Sequence, residues 1–75
     1  MNRLTITVDG KLCVNDHRSI QRAILTELCN GSRRILELAR AVRRNYDEFR
    51  FIDDSVIVTA TYELIKQNLV ESTYE

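Results

Sequence analysis

Apolar and polar residues alternate along the first fourteen positions of the chain. From Leu4 to Val8 every second residue is apolar, and threonines fill the positions between them. A two-residue period is typical of a strand with one buried face. The Asp9-Gly10 pair that follows suits a two-residue turn with positive φ angles, and the alternation then resumes through Val14. The pattern predicts an N-terminal β-hairpin, which needs another element to pack against because an isolated hairpin is barely stable in water.

A helical period replaces the alternation in the next segment. Apolar residues recur every four positions from Ile20 to Leu28, which predicts an amphipathic helix. Either Asp16 or Ser19 can cap its N-terminus. The Asn-Gly pair at positions 30–31 is expected to end it, because both residues tolerate a left-handed backbone.

A second helix is predicted from Ser32, which serves as its cap, to about position 45. Its apolar face includes Leu38 and Val42. On the opposite face, at 100° per residue, three arginines fall within about forty degrees of one another. These are Arg33, Arg40 and Arg44. Glu37 lies among them, where it can pair with Arg33 and Arg40. The arginine face is either a solvated surface with ion pairs or a surface that contacts phosphates, for which the guanidinium group is well suited.

The connector after the second helix contains two closely spaced phenylalanines. Phe49 and Phe51 alternate with Arg50, which predicts an extended segment. Their rings can either plug the core or stack on nucleobases.

A third helix and a short C-terminal strand are predicted for the rest of the chain. Asp53, Asp54 or Ser55 can cap this helix, although the β-branched run at positions 56–59 favours a strand locally. On a helical wheel the core-facing residues are Ile57, Ala60 and Leu64. A polar strip consists of Ser55, Thr59, Glu63 and Lys66. A second apolar stripe consists of Val58, Tyr62 and Ile65. That stripe either packs under the connector or is exposed and binds a partner. The tail LVESTYE predicts the strand.

Charge is unevenly distributed in this chain of 75 residues, although the net charge is zero. Residues 33–50 contain six basic and three acidic side chains, and residues 51–75 contain one basic and five acidic ones. Nine of the eleven basic residues are arginine. A neutral chain is not typical of nucleic-acid binders, but the basic second helix leaves local binding to phosphates open.

The residue types argue against catalysis and against metal binding. The chain has one histidine, no glycine-rich phosphate loop and no nucleophile paired with a base. Cys13, His17 and Cys29 match no zinc spacing, and structural zinc takes four ligands. No apolar run approaches the roughly 20 residues of a membrane span. We therefore expect a non-enzymatic, cytoplasmic protein with reduced thiols, no metal or cofactor, and no membrane partner.

Two stretches resemble winged helix-turn-helix regulators. RAILTELCNGSRRILELARAV has the spacing of their first two helices, and IKQNLVES looks like the end of their third helix and the step into the wing. The resemblance covers about residues 20–74. It implies a single α+β domain, residues 1–75, with a three-helix winged-helix-like core. The N-terminal hairpin would replace the C-terminal wing, and the short C-terminal strand would add to that hairpin.

The same resemblance places four residues at inward positions, and the chain differs from the family's usual residues at two positions. Ile57, Thr61, Leu64 and Leu69 correspond to inward positions of the third helix and the residues after it. Thr61 stands where leucine is usual, and Asn68 stands where glycine is common.

Two functional hypotheses follow. The resemblance implies a small prokaryotic or phage regulator of transcription that binds duplex DNA and forms a homodimer. The candidate DNA-contacting residues are Arg33, Arg34, Arg40, Arg43, Arg44, Ser55, Thr59 and Lys66. The arginines would contact phosphates, while the acidic residues near the polar strip disfavour direct recognition of bases. The alternative is a protein-interaction module on the same scaffold, such as a small phage-type inhibitor or adaptor, that binds through Val58, Tyr62 and Ile65.

Overall fold

The computed structural model describes residues 2–74, which form an α+β structure. In chain order the elements are strand β1 (Asn2–Ile6) and helices α1 (Val8–Leu12), α2 (Ser19–Cys29), α3 (Ile35–Asn45) and α4 (Asp54–Lys66), followed by strand β2 (Val70–Tyr74). Short 3-10 turns at Val14–Asp16 and Asp47–Phe49 precede α2 and α4. Helices α2, α3 and α4, the first strand and the C-terminal strand agree with the sequence-based prediction, whereas the turn and second strand of the N-terminal hairpin do not.

Strand β1 is paired on both of its edges. On one side it runs antiparallel to β2, with Asn2 opposite Tyr74. On the other side the backbone of Leu4 exchanges two hydrogen bonds with that of Arg33, at N···O distances of 2.8 and 3.1 Å. Strand β1 therefore connects the C-terminal strand to the link between α2 and α3.

The predicted N-terminal hairpin is wrong, because residues 8–12 form a helix where a turn and a second strand were expected. Thr7 caps this helix. Its hydroxyl accepts a hydrogen bond of 2.9 Å from the N–H of Gly10 and donates one of 2.9 Å to the backbone oxygen of Asn68. Strand β1 pairs with β2. The C-terminal strand therefore replaces the predicted second strand of the hairpin, where it was expected to join a complete hairpin as a third strand.

Helix α2 begins with neither of its predicted caps. Arg18 is the residue before the helix and makes no side-chain capping bond, Asp16 lies in the preceding 3-10 turn, and Ser19 is the first helical residue. The predicted end of the helix is confirmed. Asn30 follows the last helical residue, and Gly31 then has a φ of 145°, a conformation that L side chains rarely adopt.

The predicted Ser32 cap of α3 is also wrong, because the bridge to β1 keeps residues 32–34 out of the helix. The hydroxyls of Ser32 and Thr5 instead share a hydrogen bond of 2.9 Å. Arg34 is the residue before α3, and its backbone N–H donates to the Glu37 carboxylate at 3.1 Å. A glutamate in the first turn thus satisfies one of the free N–H groups at this helix end.

Helix α4 ends in a Schellman motif built on Asn68. This residue has a φ of 63°, and its N–H donates to the Ile65 oxygen at 3.0 Å. The next N–H, that of Leu69, donates to the Leu64 oxygen at 3.0 Å. Because asparagine tolerates the left-handed backbone, Asn68 can occupy this position, where glycine is the commonest residue in proteins. The motif sends the chain into β2.

The core lies between α2, α3, α4 and one face of the sheet. Its largest fully buried side chains are Ile24, Leu25, Leu38, Val42, Ile57, Thr61, Leu64 and Val70. The predicted burial of Ile57, Thr61, Leu64 and Leu69 is confirmed, and Ala60 packs against the core from a partly buried position. The Thr61 hydroxyl donates to the Ile57 oxygen at 2.8 Å, so its burial leaves no unsatisfied donor.

Candidate interaction surfaces

Two arginines on the outer face of α3 have no partner within the described residues. Arg40 and Arg44 are exposed and lie one helical turn apart on the same side of the helix. Within residues 2–74 neither guanidinium takes part in a hydrogen bond or an ion pair. Both groups are therefore available to an external anion.

Two other predicted DNA-contacting arginines form ion pairs with carboxylates of the same chain. Arg33 precedes α3, so it does not share a helical face with the exposed arginines. Its guanidinium lies 3.6 Å from the carboxylate of Glu27, which replaces Glu37 as its predicted partner. Arg43, in the last turn of α3, pairs with Asp54 in the first turn of α4. Because of these ion pairs, Arg33 and Arg43 are less available to bind phosphate than Arg40 and Arg44.

Glu27 joins three parts of the fold through one buried carboxylate. It belongs to α2, where its side chain is almost fully buried. The carboxylate accepts a hydrogen bond of 3.1 Å from the Asn45 side chain at the end of α3, and it faces the Arg33 guanidinium. This arrangement fixes the link between α2 and α3 against the C-terminal end of α3.

Replacing Glu27 with alanine is expected to lower the free energy of unfolding by about 2 kcal/mol, because Arg33 and Asn45 lose their shared partner. The loss is smaller than for a fully buried pair, since the Arg33 side chain is about one-third exposed. Urea denaturation followed by circular dichroism measures the effect. The control is Glu63→Ala, which removes an exposed carboxylate 4.0 Å from Lys66 and should change stability by less than about 0.5 kcal/mol. Equal effects of the two substitutions would contradict the role of Glu27.

The polar strip of α4 is exposed, as predicted. Ser55, Thr59 and Lys66 all face solvent. Glu63 lies in the same strip, 4.0 Å from the Lys66 ammonium group, and Asp53 is exposed just before the helix. The strip thus offers two hydroxyls and one partly neutralised cation, and it lacks the arginine and amide side chains that pair with base edges.

The second apolar stripe of α4 is divided between the core and the surface. Ile65 packs against the core and Val58 is half-buried, whereas Tyr62 is 58% exposed. Neither alternative therefore holds for the whole stripe, because Val58 and Ile65 are partly covered and Tyr62 presents most of its side chain to solvent.

Tyr62 borders a surface groove that the sequence analysis missed. The groove has a volume of about 510 Å³ and is bounded by α3, α4 and one face of the sheet. Its apolar lining consists of Leu4, Ile35, Leu36 and Tyr62. Its polar lining consists of Asn2, Arg34, Glu37, Arg40 and Ser72. The groove thus brings two predicted DNA-contacting arginines and one predicted partner residue into the same site.

One residue could have indicated this groove from the sequence. Leu36 lies on the otherwise charged outer face of α3 and is 55% exposed. An apolar residue on a charged helical face is informative when a second one lies near it in the fold. Tyr62 supplies that neighbour, but the sequence does not show that the two residues line one groove.

The aromatic residues of the connector have different environments. Tyr46 and Phe49 pack against the core, with their ring centroids 6.2 Å apart. Phe51 is 92% exposed. The connector contains a 3-10 turn where an extended segment was predicted, and this turn directs the two phenylalanines differently. The core-plug interpretation is therefore confirmed for Phe49 and wrong for Phe51.

The described residues contain neither a metal-binding cluster nor a membrane-spanning helix. Cys13 and Cys29 are free thiols, and residues 2–74 contain no group of three or more His, Cys, Asp or Glu side chains that could hold a metal ion. None of the helices in this range is long and apolar enough to cross a membrane.

No family model matches the chain, and no curated protein or solved structure is significantly similar to it. A functional assignment therefore depends on the surfaces themselves.

Proposed function

We propose that this protein is a small DNA-binding regulator of the winged helix-turn-helix type, which holds duplex DNA mainly through Arg40 and Arg44. The observation that carries the proposal is that both guanidinium groups are exposed on α3 and have no partner within residues 2–74. Such cations attract the DNA backbone and release its condensed counterions. Because phosphate contacts are independent of sequence, these arginines position the protein without selecting a target.

The order of the elements supports the proposal. Helices α2, α3 and α4 follow one another as in the three-helix core that the resemblance implies, and β2 follows α4 directly. In that family the third helix leads into a two-stranded wing. Here β2 pairs with β1 from the N-terminal end of the chain. In the proposed arrangement β1 would serve as the second wing strand.

The composition of α4 limits the kind of DNA recognition that we propose. In a helix-turn-helix protein this helix lies in the major groove and reads bases. The exposed strip of α4 contains Ser55, Thr59 and Lys66, but also Glu63. Asp53 adds a further negative charge before the first turn. We therefore expect affinity to depend on phosphate contacts more than on base sequence.

A salt titration of binding to a short DNA duplex tests the proposal. The Arg40→Gln/Arg44→Gln variant should bind at least about tenfold more weakly at about 50 mM salt, and the slope of log affinity against log salt should flatten by about 1.8. The matched control is Lys11→Gln/Arg18→Gln, which removes the same charge from exposed positions outside α3 and α4. The control should retain most of the wild-type affinity. Undetectable binding by the wild-type chain at about 50 mM salt, or an equal loss in the control, would refute the proposal.

A second candidate function is a protein-interaction module, and the groove favours it. Leu36 and Tyr62 expose more than half of their surface beside Arg40, an arrangement that phosphate binding does not need. Aromatic and arginine side chains around an apolar centre are typical of protein interfaces. The salt titration separates the two candidates, since a protein-interaction module predicts no salt-dependent affinity for DNA.

A further inference from the structure

Phe51 is the most exposed large apolar side chain within residues 2–74. It lies in the connector between α3 and α4, and 92% of its surface is accessible to solvent. Its neighbours Phe49 and Ile52 turn toward the core. A phenyl ring in water loses the stabilisation that burial would give, so such exposure is informative when a complementary surface exists.

The groove is large enough and apolar enough to hold this ring. Its floor and walls are formed by Leu4, Ile35, Leu36 and Tyr62, and its volume of about 510 Å³ is larger than one aromatic side chain requires. Tyr62 offers an aromatic face or edge to an incoming ring, a geometry that adds to the burial of apolar area. The groove and Phe51 belong to different surfaces, since Phe51 is not among the groove residues.

The charges around the two features are also complementary. Glu48 and Asp53 flank Phe51 along the chain, are exposed, and have no ion-pair partner within residues 2–74. The other acidic residues nearby are neutralised, since Asp47 pairs with Arg50 and Asp54 pairs with Arg43. At the groove, Arg40 is an exposed cation without a partner among the described residues. The groove rim also holds Arg34 and the carboxylate of Glu37, so its side chains sum to one positive charge, opposite in sign to the acidic flanks of Phe51. We call Phe51 with these flanks the knob.

We propose that Phe51 of one copy of this chain inserts into the groove of a second copy. The proposed contact is head-to-tail, with one knob in one groove per pair, in contrast to a symmetric dimer in which two knobs are exchanged. A buried aromatic side chain contributes about 150–250 Å². This is far below the roughly 1,200 Å² of a stable interface, so the association should be weak and concentration-dependent. The inference shares Arg40 with the proposed DNA binding but does not require bound DNA.

Sedimentation equilibrium without nucleic acid tests the association, at protein concentrations from about 10 µM to about 1 mM. The average mass of the wild-type protein should rise with concentration. Phe51→Ser and the groove variant Leu36→Ser/Tyr62→Ser should each weaken self-association at least tenfold. Leu12→Ser is the control, because it removes a leucine that is 76% exposed on α1. An equal effect of this control would overturn the proposal by showing non-specific association.

Mixing the two defective variants tests the head-to-tail geometry. Phe51→Ser retains an intact groove, and Leu36→Ser/Tyr62→Ser retains an intact knob. The mixture should therefore form pairs at wild-type strength that do not grow beyond two chains, while each variant alone remains monomeric. Failure of the mixture to associate would overturn the proposal. A wild-type chain that is monomeric at about 1 mM would also overturn it, and would indicate that the groove binds a different molecule. Neither result depends on DNA affinity, which the salt titration measures separately.

Discussion

Replacing Leu38 with alanine is expected to lower the free energy of unfolding by about 3–4 kcal/mol. Leu38 lies on the inner face of α3 and has no solvent exposure. Truncation removes apolar contacts and leaves a cavity in a core that is shared by three helices and the sheet. At about 0.05–0.15 kcal/mol per residue, a 75-residue protein has a total stability of about 4–11 kcal/mol. The variant should therefore lose between about one third and all of this stability.

The measurement is urea denaturation followed by circular dichroism at 222 nm or by an equivalent helical signal. Leu36→Ala is a matched control, because it makes the same chemical change two residues earlier on α3, where the side chain is 55% exposed. We expect this control to change stability by less than about 0.5 kcal/mol. Similar losses in the two variants would contradict the assignment of inner and outer faces to α3.

Replacing Gly10 with alanine is expected to lower the free energy of unfolding by about 3 kcal/mol or more, although this change usually stabilises a helix by about 1 kcal/mol. The sign is reversed because α1 passes directly over the end of α4. A Cβ atom at position 10 would meet the backbone oxygen of Leu69 and would lie 2.7 Å from Cγ1 of Ile6. A backbone oxygen cannot rotate away as a side chain can, so β1, α1 or the segment before β2 would have to move.

A second substitution separates this explanation from the hairpin that the sequence predicted. In a hairpin turn Gly10 would be needed for a positive φ, which asparagine also tolerates. In the observed helix asparagine has the same Cβ as alanine and should be at least as destabilising. The control is Lys11→Ala, at the next and exposed position of α1. A stable Gly10→Asn variant would contradict the close approach of α1 to Leu69, and thermal or urea denaturation of the four proteins measures the difference.

The hairpin error shows where local patterns cease to be informative. Residues 4–14 alternate as a hairpin does, and Asp9-Gly10 is a strong turn signal. The outcome depended on β2, a strand more than fifty positions away, because its backbone could pair with β1. Once β1 had that partner, Thr7 could cap a helical turn and Gly10 could pack against Leu69.

The candidate sites were predictable to different degrees. The exposure of Arg40 and Arg44 follows from helical periodicity, so the sequence was sufficient to identify them. The engagement of Arg33 and Arg43 was not predictable, because their carboxylate partners lie on other helices. Likewise, nothing in the local pattern showed that one phenylalanine of the connector would be buried and Phe51 exposed.

The sequence by itself determined the three longer helices, their core-facing residues, the strand at the C-terminus and the exposure of Arg40 and Arg44 on α3. These features depend on the period of apolar residues and on residues such as Gly31 and Asn68, whose positive φ angles follow the ends of the helices before them. Only the tertiary structure decided which strand pairs with β1, which arginines form ion pairs with carboxylates, and whether the groove exists. Those depend on which distant backbone and side-chain groups meet, and a local pattern has no information about groups that it does not contain.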